Sequence, residues 1–156
     1  MRDYSQLRSR FWTHGTGKQL RGDHEARELC CYLMSAPGGN MIGIYYLPIP
    51  TIAYELGYDS VEGATKALAR VQGVGFCDYD TADELVFVFN HARENVAKSM
   101  KPGDNRILGV VRELEPYKKH RFYSAFLDIY REPFCLGALV GASAEPSPSQ
   151  APRKPH

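Results

Sequence analysis

The 156-residue sequence lacks the segments that mark membrane and secreted proteins. No apolar run approaches the roughly 18 residues that a membrane-spanning helix requires. The opening segment MRDYSQLRSR is followed by no apolar stretch of the kind found in secretory signals. These absences predict a cytoplasmic protein with no membrane partner.

The cysteines form no recognised framework. Cys30 and Cys31 are adjacent, Cys77 and Cys135 are isolated, and no pair has C-x-x-C spacing. This pattern gives no indication of zinc binding or dithiol chemistry. Reduced cysteines that serve as small core residues are expected, as is usual in the cytosol.

Catalytic signatures are equally scarce. The five histidines have no partner at a recognised metal-ligand spacing, and no G-x-S-x-G nucleophile elbow occurs. The segment HGTGK at residues 14–18 ends like a phosphate-binding loop, but Trp12 and Gln19 stand where that loop needs Gly and Ser or Thr. A Gly-rich turn explains it better. We therefore expect no enzyme, no cofactor and no metal site.

Charge is distributed unevenly along the chain, although the net charge is only +1. Residues 1–23 hold five Lys or Arg against two Asp or Glu, a balance of +3. Residues 24–90 hold three against nine, a balance of −6, and residues 91–156 hold eleven against seven, a balance of +4. Such asymmetry bears on binding partners rather than on fold.

Periodicity indicates helices and strands in the acidic middle of the chain. The segment HEARELCCYLMS has an apolar stripe at helical spacing, formed by Ala26, Leu29, Cys30 and Leu33. The run MIGIYYLP is typical of a strand, and PTIAYEL of a short helix that Gly57 ends.

A longer helix is predicted to begin after Ser60, which is a good N-cap, with Glu62 favourable in the first turn and paired with Lys66. Its expected inward residues are Val61, Ala64, Ala67, Leu68 and Val71. The segments VGFCDYD and ELVFVF alternate as strands around the turn TADE and predict a hairpin. Its expected inward residues are Phe76, Leu85, Phe87 and Phe89.

Two further amphipathic helices are predicted after the hairpin, in NRILGVVREL and RFYSAFLDIY. Their apolar stripes are Ile107, Val110, Val111 and Leu114, and Phe122, Phe126, Ile129 and Tyr130. Such stripes are typical of packing against the domain or against a second subunit. Near the N-terminus, Phe11 and Trp12 are expected to hold a short strand against the core.

We therefore predict an α+β fold: a winged helix-turn-helix, in which a β-hairpin wing closes a three-helix bundle, with a C-terminal helical extension. The predicted divisions are a basic N-terminal arm at 1–22, the winged-helix domain at 23–90, a basic helical extension at 91–132 and a disordered Pro- and Ser-rich tail at 133–156.

A helix-turn-helix places its second helix in the major groove, so double-stranded DNA is the expected partner. On that helix we expect Thr65, Lys66 and Arg70 to face DNA, with Ser60 at its start. Phosphate contacts are expected from the basic flanks, since Lys and Arg supply much of DNA affinity. The flanking candidates are Lys18, Arg21, Lys98, Lys101, Arg106, Arg112, Lys118, Lys119 and Arg121.

The hairpin tip is acidic and should be repelled by phosphate. The alternative function is therefore a protein-interaction module that uses Asp78, Asp80, Asp83 and Glu84 to bind a basic host replication or defence protein, with DNA mimicry as one form. A transcriptional regulator of the same fold is a third hypothesis. A palindromic DNA site would indicate a homodimer.

Extended similarity over residues 2–132 adds a resemblance to these patterns. The runs RDYSQLRSRFWTHGTGKQLR, YLMSAPGGNMIGIYYLPIPTIAYELG, KALARVQGVGFCDYDTADELVFV and DNRILGVVREL resemble a group of bacteriophage and prophage winged-helix proteins. Several members are described as replication or DNA-binding proteins. The resemblance implies a phage-type DNA-binding protein in replication initiation or its control, and it carries no catalytic motif.

Overall fold

The computed structural model describes residues 3–137 and 139–140. Within these residues the fold is mixed α+β, with seven helices and one three-stranded antiparallel sheet. The helices are α1 (Gly15–Gln19), α2 (His24–Ser35), α3 (Ile49–Leu56), α4 (Val61–Gly73), α5 (His91–Asn95), α6 (Asn105–Leu114) and α7 (Arg121–Tyr130). The strands are β1 (Ile44–Tyr46), β2 (Cys77–Asp80) and β3 (Leu85–Val88), and short 3-10 turns occupy Ser9–Trp12 and Glu115–Tyr117. No helix among the described residues is long and apolar enough to cross a membrane.

Helix α2 begins at a side-chain cap. Asp23 accepts a hydrogen bond from the backbone N–H of Ala26 at 3.1 Å, which satisfies one of the free donors at the helix start. The predicted apolar stripe is confirmed, because all four of its residues are buried. This stripe packs against α4.

Helices α3 and α4 are separated by the turn that the sequence predicts. Gly57 ends α3 in the left-handed conformation, with φ of 69°, where glycine carries no Cβ penalty. The hydroxyl of Ser60 accepts the N–H of Gly63 at 3.1 Å and caps α4. Four of the five predicted inward residues of α4 are buried. The prediction is wrong for Val61, which lies in the first turn and is 47% exposed.

The sheet has the order β1-β3-β2, so β3 lies in the centre. Ile44 lies opposite Phe87, and Cys77 opposite Val88. Successive residues of a strand face opposite sides of a sheet. Val86 and Val88 therefore belong to the core formed with α2, α3 and α4.

Ile44 and Phe87 face the other side of the sheet, where a second core is formed with α5, α6 and α7. The ring of Phe87 lies 5.7 Å from that of Phe122 and 6.0 Å from that of Phe126, measured between centroids. Three of the predicted inward hairpin residues, Leu85, Phe87 and Phe89, pack on this side. We call α5–α7 with the residues after them, up to Leu136, the C-terminal layer.

The C-terminal layer extends beyond the predicted end of the helical extension. Phe134 and Leu136 are fully buried, so the prediction of a disordered tail from residue 133 is wrong for these positions. The backbone N–H of Met100 donates to the carbonyl of Pro133 at 2.8 Å and fixes this segment. Residue 138 and residues 141–156 of the predicted tail lie outside the described residues.

The remaining differences are in the short elements. The strand expected at Phe11 and Trp12 is a 3-10 turn. The expectation of a Gly-rich turn at residues 14–18 is wrong, because residues 15–18 form most of α1 and His14 precedes it as the N-cap. Phe11 packs partly against the first core, whereas Trp12 is largely exposed. Ile129, predicted to be inward, is 39% exposed, since it lies on the outer face of α7.

Candidate nucleic-acid interface

The outer face of α4 carries the residues predicted to face DNA. Thr65 and Lys66 are exposed, and the Thr65 hydroxyl donates to the carbonyl of Val61 at 2.9 Å. The ammonium of Lys66 pairs with the Glu62 carboxylate at 3.0 Å, and the side chains are 69% and 75% exposed. An ion pair this exposed is worth little and exchanges readily with other partners.

Arg70 has a different environment from Lys66, although both were predicted to contact DNA. Its Nε donates to Asp23 at 2.7 Å, and Glu25 lies 3.9 Å from its Nη2. The hydrogen bond from Arg70 holds the pKa of Asp23 below its usual range. Because Asp23 also caps α2, this contact joins the last turn of α4 to the start of α2. Arg70 is thus placed to orient α4, with a side chain that is 43% exposed.

Two cations of the N-terminal arm shortly precede Asp23, the partner of Arg70, along the chain. Arg21 is exposed and precedes Asp23, the partner of Arg70, by two residues. Lys18 is exposed in the last turn of α1, and its carbonyl accepts the N–H of Arg21 at 3.1 Å. Neither side chain forms an ion pair with any described residue.

The acidic hairpin, by which we mean Asp78, Asp80, Asp83 and Glu84, is bound by α7. Arg121 pairs with Asp78, and its Nε lies 3.1 Å from Oδ2 of Asp80. Its Nη2 donates to the carbonyl of Tyr79 at 3.3 Å. Arg121, predicted to contact phosphate, is therefore placed to hold the C-terminal layer to the hairpin.

His120 strengthens the same contact at the start of α7. Its Nε2 lies 3.2 Å from Oδ2 of Asp80 and 3.5 Å from Oδ2 of Asp83. Its Nδ1 accepts the backbone N–H of Phe122 at 3.1 Å and so caps the helix. A neutral ring that accepts at Nδ1 carries its hydrogen on Nε2 and directs it at the carboxylates.

This group also has the composition of a metal site. The ligand atoms of Asp80, Asp83 and His120 lie within 4.8 Å of one another. A metal would need the lone pair of Nε2, which moves the hydrogen to Nδ1 and removes the cap on α7. In the described hydrogen-bonding pattern the three side chains act as a polar contact between β2, its turn and α7.

The remaining carboxylates of the hairpin also have partners. The hydroxyl of Tyr46 donates to Glu84 at 2.9 Å. The backbone N–H groups of Ala82 and Asp83 both donate to Asp80, and the bond from Asp83 is the main reason that the pKa of Asp80 is lowered. All four residues of the predicted partner-binding surface therefore contact groups within the chain.

The other predicted phosphate-binding residues fall into two groups. Arg106 pairs with Asp104 at 2.7 Å and brings the pKa of Asp104 to about 2, and Lys118 pairs with Glu115 at 2.6 Å. The second group is exposed and forms no ion pair among the described residues: Lys98, Lys101, Arg112 and Lys119.

The sequence patterns did not reveal the partners of His120, Arg121 and Arg70. Their main carboxylate partners, Asp80 and Asp23, are 40 or more residues distant along the chain. No local motif indicates such a contact, because the sequence around a cation in a helix is the same whether or not a distant carboxylate pairs with it.

Comparison with protein-family models, with curated proteins and with solved structures found no match to this chain. The resemblance to phage proteins stays a prediction.

Proposed function

We propose that residues 23–90 form a winged-helix domain that binds double-stranded DNA, with α3 and α4 as its helix-turn-helix. The element order α2-β1-α3-α4-β2-β3 supports this proposal, as does the pairing of β1 with the second strand of the hairpin. These elements form a helical bundle closed by a hairpin, which is the arrangement expected of the fold.

The observation that carries the proposal is the free outer face of α4. Glu62, Thr65, Lys66 and Ala69 are exposed on a helix of 13 residues whose opposite face is buried. An α-helix fits the major groove, where hydroxyl and ammonium groups can contact base edges. Thr65 and Lys66 are the proposed reading residues, and Arg70 is a positioning residue that holds α4 to α2.

Phosphate contacts are assigned to cations without an internal partner. Lys18 and Arg21 lie closest along the chain to the Arg70 contact and are proposed to bind the DNA backbone at that end of α4. The acidic hairpin is proposed to stay bound to α7. Its occupied carboxylates also weigh against the alternative of a protein-interaction surface at the hairpin.

The biological setting is proposed from the resemblance alone. A phage-type protein with a free reading helix and no catalytic motif fits a role in replication initiation or its control. Binding to an origin-like sequence would place the protein there, whereas binding upstream of a coding region would indicate transcriptional control.

The test begins with selection of bound duplexes from a random DNA pool at two salt concentrations. Binding of the selected site is then measured by fluorescence anisotropy for the double variant Thr65→Ala/Lys66→Ala. We expect a loss of affinity of about tenfold or more, since a good base contact is worth about 1–3 kcal/mol. Binding to unselected DNA should fall less.

The matched control is Arg131→Ala, which removes one exposed positive charge at the end of α7. It should leave affinity for the selected site near that of the wild type. If the control and the double variant lose affinity equally, or if no sequence is enriched, α4 does not read DNA.

A further inference from the structure

A groove of about 330 Å³ lies between the N-terminal segment and α5, away from the outer face of α4. Its wall is made of cationic, apolar and polar groups. The lining residues used below are Leu7, Arg10, Phe11, Met34, Phe76 and Arg93.

The groove is held in shape by contacts across it. Ser5 donates to Asn95 at 3.1 Å, and the backbone N–H of Gln6 donates to the same Oδ1 at 2.9 Å. Arg8 forms an ion pair with Glu94, which also lines the groove. These contacts fix the N-terminal segment to α5, so the groove is formed before any ligand arrives.

The charge of the groove is positive. Arg8 offsets the only carboxylate among the lining residues, Glu94. Arg10 and Arg93 are exposed, and neither forms an ion pair with a described residue. Two guanidinium groups thus remain for an anion, and guanidinium binds phosphate oxygens through paired hydrogen bonds.

The apolar part of the groove suits a flat ring. Phe11 and Phe76 pack edge to face with centroids 6.4 Å apart, and both are only partly buried. Leu7 and Met34 add aliphatic surface to the same wall. Aromatic side chains beside cations are the usual means of binding a base together with its phosphate.

We propose that this groove binds a nucleotide, with the phosphate on Arg10 and Arg93 and the base against Phe11 and Phe76. The volume lies at the lower end of the range for small-molecule sites. The nucleotide can come from free solution or from an unpaired end of a DNA strand, since both present the same chemistry. The site is separate from the duplex-reading face of α4.

Isothermal titration calorimetry with the full chain tests the proposal, using ATP, inorganic phosphate and a 5′-phosphorylated oligothymidylate as separate probes. The groove variants are Arg10→Ala and Arg93→Ala, each made singly, and the charge-matched control is Arg131→Ala, an exposed arginine outside the groove. Thermal melting confirms that each variant is folded.

We expect the wild type and the control to bind ATP or the oligonucleotide, and each groove variant to bind about tenfold more weakly or worse. Inorganic phosphate should bind more weakly than ATP, because it has no base. Tighter binding of ATP identifies a free nucleotide as the ligand, and tighter binding of the oligonucleotide identifies a strand end.

Three results would overturn the proposal: no binding of either nucleotide probe at millimolar concentration, equal losses in the groove variants and the control, or binding of inorganic phosphate as tight as that of the better nucleotide probe. The variant Thr65→Ala/Lys66→Ala should bind the nucleotide as the wild type does. A loss of duplex binding by α4 and a loss of nucleotide binding in the groove can therefore be distinguished.

Discussion

The two faces of the three-stranded sheet are covered by different kinds of side chain. On the side of α2–α4, small residues such as Ala64 and Ala67 are fully buried and let the helices approach closely. On the side of the C-terminal layer, the core is built from rings, including Phe122 and Phe126. Rings bury a large area per residue, so short helices can still close a core.

Each side also has an ion-pair contact at its edge. Arg70 joins α4 to α2 through Asp23, and Arg121 joins α7 to β2 through Asp78 and Asp80. Two of the cations expected to bind DNA are therefore placed to hold helices together. The acidity of the hairpin is explained by its packing partner in the C-terminal layer.

The largest expected effect comes from removing the ring at the centre of the sheet. Phe87→Ala should lower the free energy of unfolding by about 3–5 kcal/mol, because it leaves a cavity among three other rings. Val86→Ala, on the other face of the same strand, should cost about 1.5–3 kcal/mol. Urea denaturation measures both. A larger loss of unfolding free energy for Val86→Ala would show that the C-terminal layer contributes less to stability than the core formed with α2–α4.

A smaller effect is expected from removing the buried hydroxyl group of one tyrosine on each face of the sheet. Tyr45 donates to the carbonyl of Leu33, whereas Tyr130 donates to Phe89 and also accepts the N–H of Arg93. Tyr130→Phe should therefore cost about 1–3 kcal/mol, and Tyr45→Phe about 1 kcal/mol, in urea denaturation. Equal losses would mean that the bond from Arg93 contributes nothing.

The smallest effect concerns the Arg121 contact and depends on pH. Arg121→Gln should lower the melting temperature at pH 7 by about 2–4 °C, as expected for a partly exposed ion pair. The control Lys119→Gln, at an exposed position without an ion pair among the described residues, should change it less. Calorimetry of the two variants and the wild type provides the comparison.

The sign of the pH dependence follows from Asp80. Its pKa is lowered by the N–H of Asp83 and by Arg121, so the stabilisation is complete above the ordinary value of 3.8. It is lost as the pH falls through the lower folded pKa. The difference between Arg121→Gln and the wild type should therefore shrink in strong acid. A constant difference would show that the charge of Asp80 is not involved.

Features set by local residues could be predicted from the sequence. The turn between α3 and α4 depends on Gly57 and on the cap at Ser60, and both lie beside the atoms they serve. The stripe of α2 repeats over 12 residues and is visible as a period. By contrast, α1 and α5 contain five residues each, too few to show a helical period.

The orientation of the hairpin could not be predicted for another reason. The segment LVFV of β3 is apolar at every position because both of its faces are covered, so alternation does not indicate which side is inward. At the candidate site the limit is the distance along the chain between interacting residues. The exposure of Lys66 follows from helix geometry, but the partner of Arg70 lies 47 residues away.

Backbone amide shifts, mapped by NMR during titration with a selected DNA duplex, test most directly which surface binds DNA. We propose that the free face of α4 binds DNA while the acidic hairpin stays bound to the C-terminal layer. We expect the largest shifts between Glu62 and Arg70, smaller ones near Lys18 and Arg21, and little change from Asp78 to Glu84. The largest shifts in the hairpin, with α4 unchanged, would contradict this proposal.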